Sequence, residues 1–226
     1  MSKEKTQLYF MPGLAANPLI FEYLKLPKDQ FELHFIEWLV PEDKTESLEN
    51  YVKRLSVFVK HENAVLIGVS FGGVIVQEMK KLVNPQQVII ISSIKNKYEM
   101  PARMRFSQKT NLHKAFPTKV FVNIEKYEKY AFTNVLKTRL KLYKKFLSMR
   151  DELYLPWSIN ALLNWKREES DPEILHIHGT KDFIFPAENI ENYIPIEKGT
   201  HIMIIDKPSS NNPSIMIHIL TQTLNL

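Results

Sequence analysis

One six-residue stretch, Gly68-Val69-Ser70-Phe71-Gly72-Gly73, constrains the fold of this chain more than any other feature. It follows the continuous apolar run 64–67 and precedes residues 74–83, which favour a helix ended by Asn84 and Pro85. Small residues two positions before and two after a serine suit a sharp turn between a strand and a helix. The stretch therefore predicts a buried parallel strand whose carboxyl end presents the Ser70 hydroxyl.

Five other short runs have the composition of strands, and together they predict the fold class. They cover residues 7–11, 31–38, 87–92, 174–178 and 193–196. Helical spacing of apolar residues over 47–61 and 214–224 predicts helices between or after these strands. The alternation predicts an α/β protein: a three-layer α/β/α sandwich around a mostly parallel sheet of about six strands.

The alternation stops between about residues 96 and 170, where basic amphipathic helices are favoured. One helical face carries Leu136, Leu140, Tyr143 and Leu147, and residues 159–165 suggest a further helix. We therefore expect one core domain, 1–95 and 171–226, interrupted by a basic helical cap insertion at 96–170. From 96 to 150 there are 14 Lys and Arg against 3 Asp and Glu, within a chain of net charge +5. A solvated helical surface explains this excess, and an anionic substrate, an acidic partner or a membrane surface are the alternatives.

Several functional classes are disfavoured by composition. The chain has no cysteine, which excludes disulfides, thiol catalysis and cysteine-based zinc sites. No apolar run reaches the ~18–20 residues of a membrane span, and no apolar signal-peptide core follows Met1, so we expect a cytoplasmic protein. His176 and His178 alternate along one strand but lack a third ligand, so no metal site is expected. The aromatic residues of the basic insertion are better explained by packing than by base stacking, so no nucleic-acid partner is expected.

Two later loops supply the groups that activate a serine. Asp182 ends the run His178-Gly-Thr-Lys-Asp182 after one predicted strand, and His201 ends Gly199-Thr-His201 after the next. A histidine takes the proton of the serine hydroxyl, and an acid orients that histidine. The chain order is serine, aspartate, histidine, each at the end of a strand.

These motifs resemble those of the α/β-hydrolase superfamily, and the resemblance extends over the whole chain. It implies that Ser70 is the nucleophile, His201 the general base and acid, and Asp182 its orienting partner. The amides of Phe71 and Leu14 would form an oxyanion hole, with Ala15 as an alternative to Leu14. Gly68 and Gly72 would be the glycines of the nucleophile elbow, and the insertion would cover the pocket. The first loop reads Pro12-Gly13 where many relatives have His-Gly, and the leading hairpin of the family is expected to be absent.

The function expected from this reasoning is a serine hydrolase that cleaves an ester or thioester through an acyl-enzyme on Ser70. Its partner would be a small-molecule acyl substrate, and the reaction requires no cofactor. Two alternatives stay open: an acyltransferase that uses the same triad, and a non-catalytic hydrolase-fold protein that binds an anionic partner. The amino-acid sequence does not predict an oligomeric state.

Overall fold

A single parallel sheet of six strands organises the chain. We describe a computed structural model over residues 5–115, 141–142, 144–205 and 215. The strand order is β2-β1-β3-β4-β5-β6, and each neighbouring pair is parallel. The strands are β1 (Thr6–Met11), β2 (Phe31–Phe35), β3 (Val65–Val69), β4 (Gln87–Ile91), β5 (Leu175–Gly179) and β6 (Ile194–Ile196). The predicted six-stranded parallel sheet is confirmed.

Four helices with both ends among the described residues accompany the sheet. They are α1 (Leu48–Ser56), α2 (Phe71–Val83), α3 (Ala102–Thr110) and α4 (Tyr154–Leu163). Short 3₁₀ turns lie at Pro18–Phe21, Lys97–Glu99, Leu112–Ala115, Ala187–Asn189 and Met203–Ile205. Ser47 caps α1, because its hydroxyl accepts the Asn50 N–H at 3.1 Å. Asn84, in the left-handed conformation, ends α2 before Pro85.

Buried side chains on the two faces of the sheet belong to two separate apolar clusters. In β1, Tyr9 and Met11 join the cluster covered by α1, α2 and α4, whereas Leu8 and Phe10 join the cluster on the other face. The second face is covered by the turn Pro18–Phe21 and by residues that follow β6. This arrangement is the predicted α/β/α sandwich, with helical segments on both sides of the sheet.

Two predicted elements are shorter than their sequence patterns. The helix predicted to reach residue 61 ends at Ser56. The Phe58 and Val59 N–H groups bond to carbonyls three residues back, and the Lys60 N–H donates to the Tyr9 hydroxyl at 3.0 Å.

The strand predicted to reach Trp38 ends at Phe35, the residue that pairs with Phe10 of β1. The Ile36 N–H still donates to the Phe10 carbonyl at 2.9 Å, and Trp38 turns its indole N–H to the Gly13 carbonyl.

The described parts of residues 96–170 contain helices and 3₁₀ turns but no strand. Residues 145–149 run antiparallel to the loop after β1: the Asn17 N–H donates to the Phe146 carbonyl at 2.8 Å, and the Met149 N–H donates to the Ala15 carbonyl at 3.1 Å. The predicted face at 136, 140 and 143 and most of the predicted helix 214–224 lie outside the described residues. Across the described ranges, no helix combines the length and apolar character that a bilayer span requires.

Candidate active site

The predicted site residues meet at one edge of the sheet. In a parallel sheet the carboxyl ends of all strands lie at the same edge, and the loops at that edge commonly bind ligands. Ser70 directly follows β3, Asp182 follows β5, and His201 follows β6. The loop that contains Leu14 follows β1, the neighbour of β3 in the sheet.

The backbone at Ser70 adopts a conformation that non-glycine residues rarely use. Its φ is 53° and its ψ is −120°, and such backbone costs of order 1–3 kcal/mol. Hydrogen bonds on both sides hold it: the Ser70 N–H donates to the Ile91 carbonyl at 2.9 Å, and the Ser93 hydroxyl donates to the Ser70 carbonyl at 2.7 Å. The strand–turn–helix connection therefore fixes the direction of the Ser70 side chain.

Gly68 and Gly72 are required by the close approach of neighbouring backbone. A Cβ added at Gly68 would lie 2.3 Å from the Gly72 carbonyl oxygen, and one added at Gly72 would lie 2.3 Å from the Pro12 carbonyl oxygen. Both distances are far shorter than a van der Waals contact, so any side chain would displace the turn. The two glycines predicted for the elbow thus have a direct steric role.

A continuous chain of hydrogen bonds joins the three predicted residues. His201 Nε2 lies 2.9 Å from Ser70 Oγ, and His201 Nδ1 lies 2.8 Å from Asp182 Oδ2. The carboxylate is buried, whereas the His201 side chain is 19% exposed. Because a carboxylate accepts hydrogen bonds, a neutral His201 carries its proton on Nδ1 and leaves Nε2 free to accept the Ser70 proton.

The Asp182 carboxylate is oriented by its own loop. Its Oδ1 accepts the backbone N–H groups of Ile184 and Phe185 at 2.7 and 2.9 Å. These bonds occupy one oxygen and turn the other, Oδ2, toward His201. The carboxylate position is therefore set before any substrate binds.

The loops that carry Asp182 and His201 touch through their backbones. A Cβ added at Gly179 would lie 2.3 Å from the Gly199 carbonyl oxygen, and the Lys181 N–H donates to that same oxygen at 2.8 Å. The sequence shows glycine at both strand ends but not that the two glycines face each other. Their contact brings the acid loop and the histidine loop within hydrogen-bond distance.

Two backbone amides were predicted to face the developing oxyanion. Phe71 begins α2, and the first amides of a helix have no partner within that helix. Gly13 adjoins the serine, since a Cβ added there would lie 3.5 Å from the Ser70 Cβ. The sequence offers Ala15 as an equal alternative to Leu14, but the Ala15 N–H donates to the Tyr154 hydroxyl at 3.3 Å. Among the described residues, none accepts a hydrogen bond from the Leu14 amide, which leaves Leu14 as the candidate donor of this loop.

The two histidines of β5 form a buried pair behind Asp182. His178 Nε2 lies 2.8 Å from the Phe185 carbonyl oxygen, and His178 Nδ1 lies 3.1 Å from His176 Nε2. Because a carbonyl only accepts, neutral His178 carries its proton on Nε2 and accepts a hydrogen bond from His176. Burial lowers the pKa of His178 and holds the pKa of His176 well below its ordinary range. Within the described ranges, no three potential metal ligands cluster together.

Sequence reasoning missed two aromatic side chains at this site, Trp38 and Tyr154. The Trp38 indole N–H donates to the Gly13 carbonyl at 2.9 Å, and the Tyr154 hydroxyl accepts the Ala15 N–H. Both are buried and contact the loop after β1 from distant parts of the chain. No local motif marks either residue, because each acts through one side-chain contact with backbone.

Several solved protein structures have a fold similar to that of this chain. A carboxylesterase of Nitrososphaera gargenis has a TM-score of 0.69 and 15% identity, with 99% of this chain and 93% of that chain covered. The RedJ thioesterase of Streptomyces coelicolor has a TM-score of 0.66 and 14% identity, over 96% and 85% of the two chains. An extracellular α/β-hydrolase of a Paenibacillus species has a TM-score of 0.62 and 15% identity, over 96% and 98%. No family model and no curated protein matches the chain.

Proposed function

We propose that this chain, which has the α/β-hydrolase fold, is a serine hydrolase that cleaves an ester or thioester through an acyl-enzyme on Ser70. The observation that carries the proposal is the unbroken hydrogen-bond chain from Ser70 through His201 to Asp182. Neither the fold nor core packing requires a serine, a histidine and a carboxylate to be hydrogen-bonded in a row at the carboxyl edge of the sheet. A small-molecule acyl substrate is the proposed partner.

In the proposed acylation step, Ser70 Oγ attacks the acyl carbonyl carbon while His201 Nε2 takes the hydroxyl proton. Asp182 holds the imidazole in the reactive tautomer and stabilises the imidazolium that forms. The amides of Phe71 and Leu14 donate to the tetrahedral oxyanion, and one such donor is typically worth ~3–4 kcal/mol. The proton then passes from His201 to the leaving alcohol or thiol as its bond to the acyl carbon breaks.

In the proposed deacylation step, water takes the place of the leaving group. His201 accepts a proton from the water as the water oxygen bonds to the acyl carbon. It then returns the proton to Ser70 Oγ as the bond between Ser70 Oγ and the acyl carbon breaks. The protein groups supply every proton transfer, so the proposed mechanism uses no metal or organic cofactor.

The solved relatives agree with this class of reaction, since their descriptions name a carboxylesterase and a thioesterase. Residues 96–170 would serve as the cap over the acyl pocket, with the core formed by 1–95 and 171–226. Support for this role comes from residues 145–149, which lie against the loop that follows β1. A cytoplasmic location remains a prediction from the amino-acid sequence.

The proposal is tested with a panel of acyl esters and acyl thioesters of increasing chain length, with wild type beside Ser70→Ala. We expect the wild type to hydrolyse at least one acyl class, with kcat falling about 10⁴-fold or more in the variant. Ser148→Ala is a matched control, because that serine is exposed and lies outside the hydrogen-bond chain. Hydrolysis that is equal in wild type and Ser70→Ala would contradict the proposal.

An acyltransferase would use the same acyl-enzyme and a non-water acceptor. Adding alcohols, amines and thiols to the ester assay separates the two, because a transferase forms the transfer product faster than the free acid.

Contacts of three basic residues of the insertion argue against a non-catalytic protein that uses them to bind an anionic partner. Lys97 pairs with Glu168, Lys145 pairs with Glu22, and Arg103 donates to the carbonyls of residues 183 and 184. These cations already have protein partners.

A further inference from the structure

Trp38 contacts both halves of the proposed oxyanion hole. Its indole N–H donates to the Gly13 carbonyl at 2.9 Å, and its ring stacks on that of Phe71 with centroids 5.4 Å apart and planes 11° from parallel. Trp38 is 6% exposed, so its indole is packed against neighbouring residues on most sides. One side chain from the segment that follows β2 thus joins the loop after β1 to the first residue of α2.

The bond to Gly13 fixes the peptide unit that carries the Leu14 amide. In a planar trans peptide, the carbonyl and the next N–H point in opposite directions. The Gly13 carbonyl accepts two hydrogen bonds, from the Trp38 indole and from the Ala16 N–H, both at 2.9 Å. With the carbonyl held on that side, the Leu14 N–H is held on the other. This peptide unit adjoins the Ser70 side chain.

The ring stack between Trp38 and Phe71 affects the position of the second proposed donor, the Phe71 amide. Phe71 is fully buried and its ring is nearly parallel to the indole. Its own amide begins α2 beside Ser70. The position of the Phe71 side chain limits how its backbone can move, because interior side chains are close-packed in preferred rotamers.

We propose that Trp38 is a positioning residue that sets the spacing and direction of the Phe71 and Leu14 amides in the oxyanion hole. The inference rests on the proposed hydrolase function and adds a residue outside the Ser70–His201–Asp182 chain. Oxyanion-hole donors must lie at hydrogen-bond distance from the oxyanion, about 2.7–3.1 Å, and a displacement of about 1 Å can cost ~10²-fold in rate. Trp38 supplies that placement without touching the substrate.

A matched control is provided by Trp157 on α4. Its ring belongs to the same aromatic cluster, its indole N–H donates to the Glu46 carbonyl at 2.8 Å, and it is 3% exposed. The two tryptophans therefore have similar burial and each has one bond to a backbone carbonyl. Both rings contact Phe71, Trp157 by its edge with centroids 6.5 Å apart. The two tryptophans therefore differ chiefly in the carbonyl that they hold, which is that of Gly13 for Trp38 and that of Glu46 for Trp157.

The experiment compares Trp38→Phe with Trp157→Phe, because phenylalanine keeps an aromatic ring and removes the N–H. For Trp38→Phe we expect kcat to fall about 10- to 100-fold with KM changed less than about threefold. Binding of a trifluoromethyl ketone should weaken by the same factor as kcat/KM. In that adduct Ser70 Oγ bonds to the carbonyl carbon, His201 takes the proton, and the former carbonyl oxygen becomes the oxyanion. Trp157→Phe should keep kcat within about threefold while losing a similar amount of thermal stability.

A second readout does not depend on activity. In ¹⁵N NMR spectra without ligand, the Leu14 amide resonance should shift in Trp38→Phe and stay in place in Trp157→Phe. Equal kcat in the two variants, or an unmoved Leu14 resonance in Trp38→Phe, would overturn the role of Trp38. A wild-type protein that neither turns over esters nor binds the ketone would instead overturn the proposed function, and the Leu14 resonance would still decide whether Trp38 holds the loop.

Discussion

His201 Nδ1 lies 2.8 Å from Asp182 Oδ2, although the two residues belong to loops after different strands. The acid loop directs this contact, because Asp182 Oδ1 is already occupied by the N–H groups of Ile184 and Phe185. The Asp182 carboxylate therefore accepts the hydrogen bond from His201 Nδ1, as a backbone carbonyl does for many structural histidines. It selects the tautomer whose other nitrogen faces Ser70.

Replacing Asp182 by asparagine should leave the fold intact and remove most of the activity. The asparagine oxygen can keep the bonds from Ile184 and Phe185, but its NH₂ group then faces His201 and favours the tautomer with the proton on Nε2. We expect kcat to fall about 10³- to 10⁴-fold with little change in thermal stability. The matched control is Asp171→Asn, an acid that pairs with Lys80 at 2.7 Å and precedes the amino end of β5. Activity lost equally in both variants would contradict the role assigned to Asp182.

The elbow glycines should tolerate no side chain, unlike Gly13. Gly72→Ala places a Cβ 2.3 Å from the Pro12 carbonyl oxygen, whereas the nearest atom to a Cβ at Gly13 is 3.5 Å away. We expect Gly72→Ala to lower the free energy of unfolding by about 2–3 kcal/mol and Gly13→Ala to change it by less than about 1 kcal/mol. Urea denaturation measures both. Equal unfolding midpoints would show that the turn can relax around a methyl group.

The buried histidines of β5 should make stability fall in mild acid. Burial holds the pKa of His176 well below the ordinary value of 6.5, so below that pH the unfolded chain binds a proton that the folded chain does not. The free energy of unfolding therefore decreases as the pH falls below about 6.5, by up to about 1.4 kcal/mol per pH unit for this residue. His178 acts in the same direction, since its pKa is also lowered.

Denaturation of wild type and His176→Asn between pH 7.5 and 5 tests this effect. The asparagine variant should be less stable at pH 7.5, because a buried contact to His178 is lost. Its stability should depend less steeply on pH, so the two curves should converge as the pH falls. Parallel curves would show that His176 does not contribute to acid sensitivity.

The sheet and the three candidate residues Ser70, Asp182 and His201 could be predicted from the amino-acid sequence because both depend on local patterns. Apolar runs followed by glycine mark the strand ends, and the residues after Gly68, Gly179 and Gly199 are the ones that the sheet brings to one edge. The residues at which strands end could be predicted less well from the amino-acid sequence. The apolar pattern of β2 continues to Trp38, but the pairing with β1 ends at Phe10 and Phe35, and Trp38 contacts the loop after β1 instead.

Contacts that join distant segments were not predictable from pattern. Trp38 reads as the last apolar residue of a strand, and its bond to the Gly13 carbonyl spans 25 residues. Tyr154 precedes the helix that residues 159–165 suggest, and its hydroxyl accepts the Ala15 N–H from 139 residues away. A side chain that binds a backbone carbonyl or amide leaves no periodic signal, because any backbone can serve as its partner.

The most direct test of the account is covalent labelling with a fluorophosphonate, read by intact mass. Ser70 Oγ attacks phosphorus, fluoride leaves, and the serine proton passes to His201. We predict one adduct per chain on the wild type, none on Ser70→Ala, and normal labelling of Ser148→Ala. A folded wild-type protein that forms no adduct, or an adduct that persists in Ser70→Ala, would contradict the claim that Ser70 is the activated nucleophile.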